Sequence, residues 1–219
     1  KVRTVGCPIR EMLLDGDRVR GVETDQGRYE APVVVNAAGA AAGRVGEMAG
    51  VHVPVTPDSH EAGISEGVQR FFEPMVVDLR RAEGSKNFYF YQNAEGQVEF
   101  CITPDPPIVG RDRRHTSTFL PMIARRMVAL YPRLANLKVR RVWRGLYPMS
   151  PDGSPLLGFA PELRGYFVAA GMCGQGYMLG PGIGALIARV LSGEPSEADQ
   201  MVLDDLRPDR EFDSEEALK

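Results

Sequence analysis

Several features that would settle the class of this protein are missing from its sequence. The N-terminal region has no G-x-G-x-x-G fingerprint, which a dinucleotide-binding fold places early, directly after its first strand. No apolar run is long enough to cross a bilayer, so no transmembrane segment is predicted. No methionine or signal peptide opens the chain, and residues 1–7 look like the interior of a fold. We therefore expect a fragment, a processed product or one chain of a split protein.

Cysteine, histidine and net charge are also scarce. Cys7, Cys101 and Cys173 are odd in number and widely spaced, which fits a reducing compartment such as the cytoplasm better than a disulfide framework. These cysteines lack the spacing of zinc ligands, and the three histidines do not complete a zinc-ligand pattern with them. No metal site is therefore predicted. A net charge of −3 implies no nucleic-acid partner. The 219 residues suffice for one large domain or two small lobes.

The most strongly patterned stretch of the sequence is 166–193. A short apolar run at 166–170 predicts a buried strand, and six glycines follow between 171 and 184. From Leu179 to Leu191 the apolar residues return at helical spacing. A strand, a glycine turn and a helix can direct free backbone N–H groups at an electron-rich ligand. The same glycines, with Pro181 among them, also fit close helix packing, so the local pattern leaves both interpretations open.

The remaining sequence predicts an α+β fold with short elements. The first part reads as strand, turn and strand, then an apolar run, a small-residue turn at 36–43 and a helix ending near Gly50. The middle part is rich in proline and has β-type runs at 70–72, 75–79, 87–91 and 97–102, the last two forming a hairpin. A helix at 116–131, a strand at 138–144, a turn-rich segment at 145–155 and a disordered tail at 213–219 complete the prediction.

Four segments, in this order, resemble the family of FAD-dependent amine and amino-acid oxidoreductases. This family contains D-amino-acid oxidase, glycine oxidase, sarcosine oxidase and dimethylglycine dehydrogenase. The segments are RVRGVET with the following VVVNAAG in 18–39, WRGLYPMSPDGSPLLG in 143–158, GMCGQGYM in 171–178 and DLRPDREF in 205–212. Together they cover nearly the whole chain, and it is their order and spacing that carry the resemblance.

The resemblance implies a division of the chain. Residues 1–50 and 143–212 would form part of a Rossmann-like FAD-binding layer, and residues 51–142 an antiparallel-sheet substrate lobe with flanking helices. The family fingerprint that holds the FAD pyrophosphate is missing. An N-terminal FAD-binding half or a partner subunit would therefore supply the adenosine side of the cofactor site.

The resemblance also implies which residues bind FAD. In the family the turn at 171–178 wraps the isoalloxazine ring, and the next helix is aimed at the ring's O2 edge. Gly145 stands where some members have a flavin-linking cysteine, so FAD is expected to bind non-covalently. The expected cofactor-binding residues are Ala38, Gly39, Gly145, Gly171, Met172, Cys173, Gly174, Gln175, Gly176, Tyr177 and Met178.

Three tyrosines are the expected substrate-side residues. Tyr147 stands where glycine oxidase has an arginine that binds the substrate carboxylate, and a tyrosine cannot clamp that group in bidentate fashion. Tyr89 and Tyr91 share one face of a predicted strand, which in the family faces the substrate cavity, although aromatic residues in a core would show the same pattern. His60 is a lone histidine that suits a proton acceptor or an ordinary hydrogen-bonded residue, so the sequence names no acid or base.

The expected function is oxidation of the C–N bond of a small amine or amino acid by hydride transfer to FAD. Some sarcosine oxidases carry a lysine at the position of Met178, where it activates oxygen, so oxidase and dehydrogenase both stay open. One alternative is a non-catalytic truncated or split subunit that binds a partner. Another is an oxidoreductase similar to glycerol-3-phosphate dehydrogenase.

Overall fold

The structure is a computed structural model that describes residues 2–212, so the predicted tail at 213–219 lies outside the described residues. The described chain divides into two compact units: unit 1, residues 2–56 and 148–212, and unit 2, residues 57–147. Helices and antiparallel strands both occur, which confirms the predicted α+β class.

Eleven strands and four α-helices are found in the described residues. The strands are β1 (Ile9–Asp15), β2 (Arg18–Thr24), β3 (Gly27–Glu30), β4 (Val34–Asn36), β5 (Thr56–Gly67), β6 (Val76–Asp78), β7 (Ser85–Gln92), β8 (Gln97–Pro104), β9 (Val139–Met149), β10 (Leu156–Phe159) and β11 (Tyr166–Ala170). The helices are α1 (Ala42–Met48), α2 (Phe119–Leu130), α3 (Gly176–Leu191) and α4 (Glu197–Leu206), with 3-10 turns at Gly39–Ala41 and Pro132–Asn136.

Unit 1 is built around strand β11. This strand lies between β10, to which it is antiparallel, and β4, to which it is parallel; β1, β2 and β3 form a separate antiparallel sheet. All five residues of β11 are buried, because both faces of the strand are covered. Tyr166 and Val168 enter one apolar cluster, with Val19 among its members, whereas Phe167 packs in another with Ile183 of α3 and Leu203 of α4.

Unit 2 is a five-stranded sheet in the order β6-β7-β8-β5-β9, and its two faces differ. Because side chains alternate along a strand, one face carries aromatic residues that pack with α2. Its core includes Phe88, Phe90, Phe100 and Ile102 of the sheet with Phe119, Ile123 and Met127 of the helix. The opposite face carries Tyr89 and Cys101, which are paired across β7 and β8.

Six of the elements differ from the prediction. Strand β5, the longest in the described chain, was not predicted, because its proline and its polar side chains do not resemble a strand. Residues 70–72 form no strand, β9 continues through Met149 into the predicted turn, and α2 begins at Phe119. Helix α3 already begins at Gly176 and includes Pro181, and α4 was not predicted.

Replacing Ser196 with alanine is expected to destabilise unit 1 by about 1 kcal/mol, the usual loss for a helix cap. The Ser196 hydroxyl accepts a hydrogen bond from the Asp199 N–H (3.1 Å), and the Asp199 carboxylate accepts one from the Ser196 N–H (2.9 Å). Urea denaturation measures the loss. Ser192→Ala at the exposed end of α3 is the control, because the cap recorded there is made by backbone N–H groups; an equal loss in both variants would contradict the prediction.

Candidate functional site

Two glycine-containing turns meet at one edge of the sheet in unit 1. Strand β4 is paired in parallel with β11, Val34 opposite Tyr166 and Asn36 opposite Val168, so the carboxyl ends of both strands lie together. Ala38 and Gly39 follow β4, and residues 171–178 follow β11. In open α/β sheets ligands bind outside the carboxyl ends of the strands. The fold therefore brings two separately predicted groups of cofactor residues to one place.

The turn after β4 is fixed by the buried side chain of Asn36. Its Nδ2 donates to the carbonyl of Ala42 (2.9 Å) and to the Tyr166 hydroxyl (2.8 Å), and its Oδ1 accepts from the Ala38 N–H (3.3 Å). Gly39 has a φ of +54°, which glycine adopts without strain. One amide thus orders the small-residue turn and ties it to β11.

The turn after β11 contains two residues in the left-handed region. Gly171 has a φ of +67° and Cys173 a φ of +52°, which is uncommon for a residue with a side chain. The Cys173 N–H donates to the carbonyl of Pro148 (3.1 Å), and its thiol lies 3.7 Å from the Ser150 hydroxyl. Cys173 is buried, so its side chain packs inside unit 1.

Helix α3 begins in this turn without a side-chain cap. Gln175 is the N-cap residue, and its side chain makes no cap hydrogen bond to the first turn. Helix geometry leaves the N–H groups of Gly176, Tyr177 and Met178 without partners inside the helix. These groups and the helix dipole favour an electron-rich ligand. Tyr177 and Met178 are 98% and 72% exposed, so the backbone amides of this turn are open to a ligand from solvent.

A buried ion pair between Asp152 and Arg210 lies next to the loop that contacts the turn after β11. Asp152 accepts from Arg210 Nε at its Oδ2 (2.9 Å) and from Arg210 Nη2 at its Oδ1 (2.9 Å). The Ser154 N–H and the Ser150 hydroxyl also donate to Asp152. Arg210 Nη1 donates to the carbonyl of Pro155 (2.9 Å). This network fixes the loop that carries Ser150, and through it the position of Cys173.

In unit 2, Tyr89, Cys101 and Tyr147 form a hydrogen-bonded group on the sheet face opposite α2. Tyr89 of β7 pairs with Cys101 of β8, which pairs with Ala62 of β5. Tyr147 of β9 is hydrogen-bonded to both Tyr89 and Cys101. Burial raises the pKa of Tyr89 and of Tyr147 well above the ordinary value, and raises that of Cys101 to about 11. All three groups therefore stay protonated at neutral pH and can donate hydrogen bonds.

Of the other expected residues of unit 2, Tyr91 has a separate hydrogen-bond partner and Gly145 has no side chain. Tyr91 donates to Glu99 Oε2 (2.7 Å). Burial, and to a smaller extent this hydrogen bond, raises the pKa of Tyr91 to about 12. Gly145 lies in β9 and has open space where a Cβ would be. Arg144 is buried, and its Nη1 donates to the carbonyl of Arg114 (3.0 Å).

Next to Tyr147 lies His60, which the sequence left open as a proton acceptor or an ordinary hydrogen-bonded residue, and beside His60 lies Asp58, which was not selected from the sequence. His60 of β5 stacks on the Tyr147 ring with centroids 3.9 Å apart and an interplanar angle of 22°. Asp58, two residues earlier on the same strand, lies 3.1 Å from His60 Nε2. The sequence does show Asp58 and His60 two positions apart. This spacing places the two side chains on the same face only if residues 56–67 form a strand, which was not predicted.

Within residues 2–212 the structure contains no group of three or more histidine, cysteine or acidic side chains placed to hold a metal ion. None of the helices in that part of the chain has the length and apolar character needed to span a membrane.

Comparison with known proteins agrees with these features. The model of the family described as FAD dependent oxidoreductase (DAO) matches residues 5–190. The beta subunit of sarcosine oxidase from Rhizobium meliloti is 29% identical, over 87% of this chain and 44% of its own length. Glycine oxidase from Pseudomonas aeruginosa is also 29% identical, over 84% of this chain and 48% of its own length.

A solved structure gives the same picture. The crystal structure of L-proline dehydrogenase from P. horikoshii has a TM-score of 0.81 and 27% identity, covering 92% of this chain and 53% of that one. This chain thus spans about half the length of the proteins it matches.

Proposed function

This chain belongs to the FAD-dependent oxidoreductase family, and from that premise we propose that it forms the flavin-ring side and the substrate side of an enzyme that oxidises the C–N bond of a small amine or amino acid. The observation that carries the proposal is the meeting of the turns at Gly39 and 171–178 beside the uncapped start of α3. FAD is the family's cofactor, and when bound it supplies the acceptor for a hydride.

The residues of unit 1 suit the ring side of FAD. The left-handed turn at Gly171 and Cys173 leaves backbone close to a ligand, and the amides of Gly176, Tyr177 and Met178 supply positive potential. In this role they would stabilise negative charge near one edge of the ring, as preorganised donors do in other enzymes. FAD would bind non-covalently, since Gly145, which stands where some family members link the flavin through a cysteine, has no nucleophilic side chain.

The residues of unit 2 suit a substrate with a carboxylate or an amine. Tyr147 and Tyr89 stay protonated because burial raises their pKa values, so a carboxylate would receive neutral hydrogen-bond donors. Tyr91 would contribute less directly, since its hydroxyl is bonded to Glu99. These residues position the substrate, which is the main requirement for hydride transfer from a neutral amine.

The adenosine side of FAD would come from an N-terminal half or from a partner subunit. The chain spans about half of its relatives, and one relative is named as the beta subunit of a sarcosine oxidase. The exposed apolar side chains of α3, with Tyr177, Met178 and Leu191 at 98%, 72% and 43%, offer a surface for such a half. The three cysteines of the present chain form no disulfide among the described residues. This supports a location in a reducing compartment such as the cytoplasm.

The full-length protein loaded with FAD is expected to lose its yellow colour without oxygen when a suitable amine is added. Sarcosine, glycine and proline are the amines to compare, with glycerol 3-phosphate as the C–OH alternative, and absorbance near the flavin maximum is the measurement. Oxygen or a dye then distinguishes an oxidase from a dehydrogenase. A protein that binds no FAD, or that only glycerol 3-phosphate reduces, would contradict the proposal.

A further inference from the structure

Unit 1 contains a cavity of about 180 Å³ that the proposed function does not use. It lies between the chain after α1, the turn that joins β10 to β11 and the chain after α4. Its lining residues are Val51, His52, Pro54, Ala160, Pro161, Glu162, Pro208, Asp209, Arg210 and Phe212. None of them is among the residues expected to bind FAD. The wall at 160–162 precedes β11, whereas the turn at 171–178 follows it, so the two lie at opposite ends of that strand.

The floor of the cavity is apolar and buried. Val51 and Ala160 are 3% and 4% exposed, and both belong to the apolar cluster that contains Tyr166. Phe212 packs against the same cluster, and Pro208 is buried as well. Such a floor favours a ligand with a hydrocarbon part, because binding removes apolar surface of both partners from water.

The walls of the cavity are held in place by the fold. Each of the three wall segments contains a proline, whose φ is fixed by its ring: Pro54, Pro161 and Pro208. The Ala160 N–H donates to the carbonyl of Tyr166 (2.9 Å), and Arg210 Nη1 donates to the carbonyl of Leu206 (3.0 Å). A cavity that is already formed binds its ligand with a smaller loss of conformational freedom.

The unneutralised charges of the lining are negative. Glu162 and Asp209 are exposed lining residues, and the Glu162 carboxylate has no hydrogen bond or ion pair among the described residues. Asp209 lies 3.8 Å from Arg207 Nε, in a pair whose side chains are 49% and 61% exposed, so this contact is weak. Arg210 adds no net positive charge, because the buried carboxylate of Asp152 is paired with it. The lining therefore favours a cation over an anion.

The volume of the cavity limits the size of this cation. At about 30 Å³ for each water-sized group, the cavity holds about six such groups. We propose that it binds a primary ammonium group on an apolar stem of about four carbons, with the stem over Val51 and Ala160 and the ammonium beside Glu162 and Asp209. A free alkylamine and the lysine side chain of a second polypeptide both carry this group. The inference does not rest on the oxidation of an amine.

The test titrates the FAD-loaded full-length protein with n-butylammonium chloride at constant ionic strength and follows the ligand by saturation-transfer NMR. The Kd is expected to be on the order of 1 mM. Three matched ligands separate the contributions: n-butanol has the stem without the charge, methylammonium has the charge without the stem, and butyrate has the opposite charge. Each should bind at least about tenfold more weakly. No binding of n-butylammonium, or equal binding of n-butanol, would overturn the inference.

Glu162→Gln and Asp209→Asn determine where the amine binds. Each variant replaces one exposed carboxylate with an amide of the same shape, so the fold should be retained. Each should weaken n-butylammonium binding about tenfold, because the ammonium loses a charged acceptor. Glu194→Gln is the matched control at an exposed carboxylate outside the cavity lining, and it should bind like the unsubstituted protein. Equal binding by all three variants would place the amine elsewhere in the protein and overturn the inference.

A further ligand distinguishes the two sources of the ammonium group. N-acetyl-lysine methylamide carries the same stem and charge on a peptide backbone. If it binds as n-butylammonium does and requires Glu162, the cavity accepts a lysine of a second polypeptide; if only n-butylammonium binds, the cavity takes free amines. Both results support the inference. Failure of every amine to reduce the flavin would contradict the proposed function alone, since binding at Glu162 is measured without turnover.

Discussion

Replacing Asp152 with alanine is expected to destabilise unit 1 by about 3–5 kcal/mol, the usual loss when one partner of a buried ion pair is removed. The side chains of Asp152 and Arg210 are 8% and 9% exposed, so the remaining guanidinium would be buried without its carboxylate. The Ser154 N–H would lose its acceptor as well. Urea denaturation of the substituted and unsubstituted proteins measures the difference in the free energy of unfolding.

Asp17→Ala is the matched control in the same unit. Asp17 also pairs with an arginine, Arg164, but both side chains are about two-thirds exposed, at 64% and 67%. An exposed pair contributes about 0–1 kcal/mol, so this variant should unfold almost like the unsubstituted protein. Similar losses in the two variants would show that burial does not set the strength of the Asp152 pair.

The effect of Asp152 should also depend on pH. Burial acts to raise the pKa of Asp152, but the Ser154 N–H and Arg210 outweigh it and hold the pKa below the ordinary value. A carboxyl group with a lowered folded-state pKa stabilises the fold above its unfolded pKa, about 4, and loses that contribution as the pH falls through the folded value. The stability difference between the alanine variant and the unsubstituted protein should therefore shrink below about pH 4.

Replacing Gly171 with valine is expected to weaken FAD binding about tenfold, equivalent to about 1.4 kcal/mol, and to destabilise unit 1. A φ of +67° costs a residue with a side chain about 1–3 kcal/mol, and β-branching worsens the strain. A Cβ at this position would lie 3.1 Å from Leu156 Cγ and from Ser150 Cβ, so the turn must shift. Titration with FAD, followed by flavin fluorescence, measures the Kd.

Gly182→Ala in helix α3 is the control for this substitution. A Cβ at Gly182 meets nothing within 4 Å, and alanine is the better helix former by about 1 kcal/mol. Unit 1 should therefore become slightly more stable. If Gly171→Val bound FAD as tightly as the unsubstituted protein, the turn at 171–178 would not be the ring site.

The strand, turn and helix at 166–193 were predictable because each has a strong local pattern. The apolar run gave β11, and the spacing of Ile183, Leu186 and Ile187 gave the body of α3. The hairpin of β7 and β8 followed from the aromatic run and the turn ending at Gly96, which has a φ of +78°. In these segments the local preference and the tertiary structure agree.

The prediction failed where tertiary contacts decide the structure. Strand β5 has Asp58, Ser59, His60 and Glu61 buried in succession, which no pattern of alternating hydrophobicity reveals. Helix α4 was missed although Ser196 and Asp199 form the spacing of a capping box, a signal that was available in the sequence.

The candidate substrate group depended on strand register, which the sequence does not display. Tyr89, Cys101, His60 and Tyr147 come from four strands, and they meet because β8 and β5 lie between β7 and β9. The sequence predicted that Tyr89 and Tyr91 share one face of a strand, but it could not show their hydrogen-bond partners. In the structure Tyr89 is hydrogen-bonded to Tyr147, whereas Tyr91 is hydrogen-bonded to Glu99.

The hydrogen bond between Asn36 and Tyr166 joins residues that are 130 positions apart, and this has a consequence for the order of folding. Unit 2 is continuous in sequence, so all of its contacts are available as soon as residue 147 has left the ribosome. Unit 1 is discontinuous: β4 is synthesised early but stays unpaired until β11 emerges, and closing so long a loop is slow. During synthesis, unit 2 can thus mature first, and the sheet that carries the glycine turns of unit 1 is completed last.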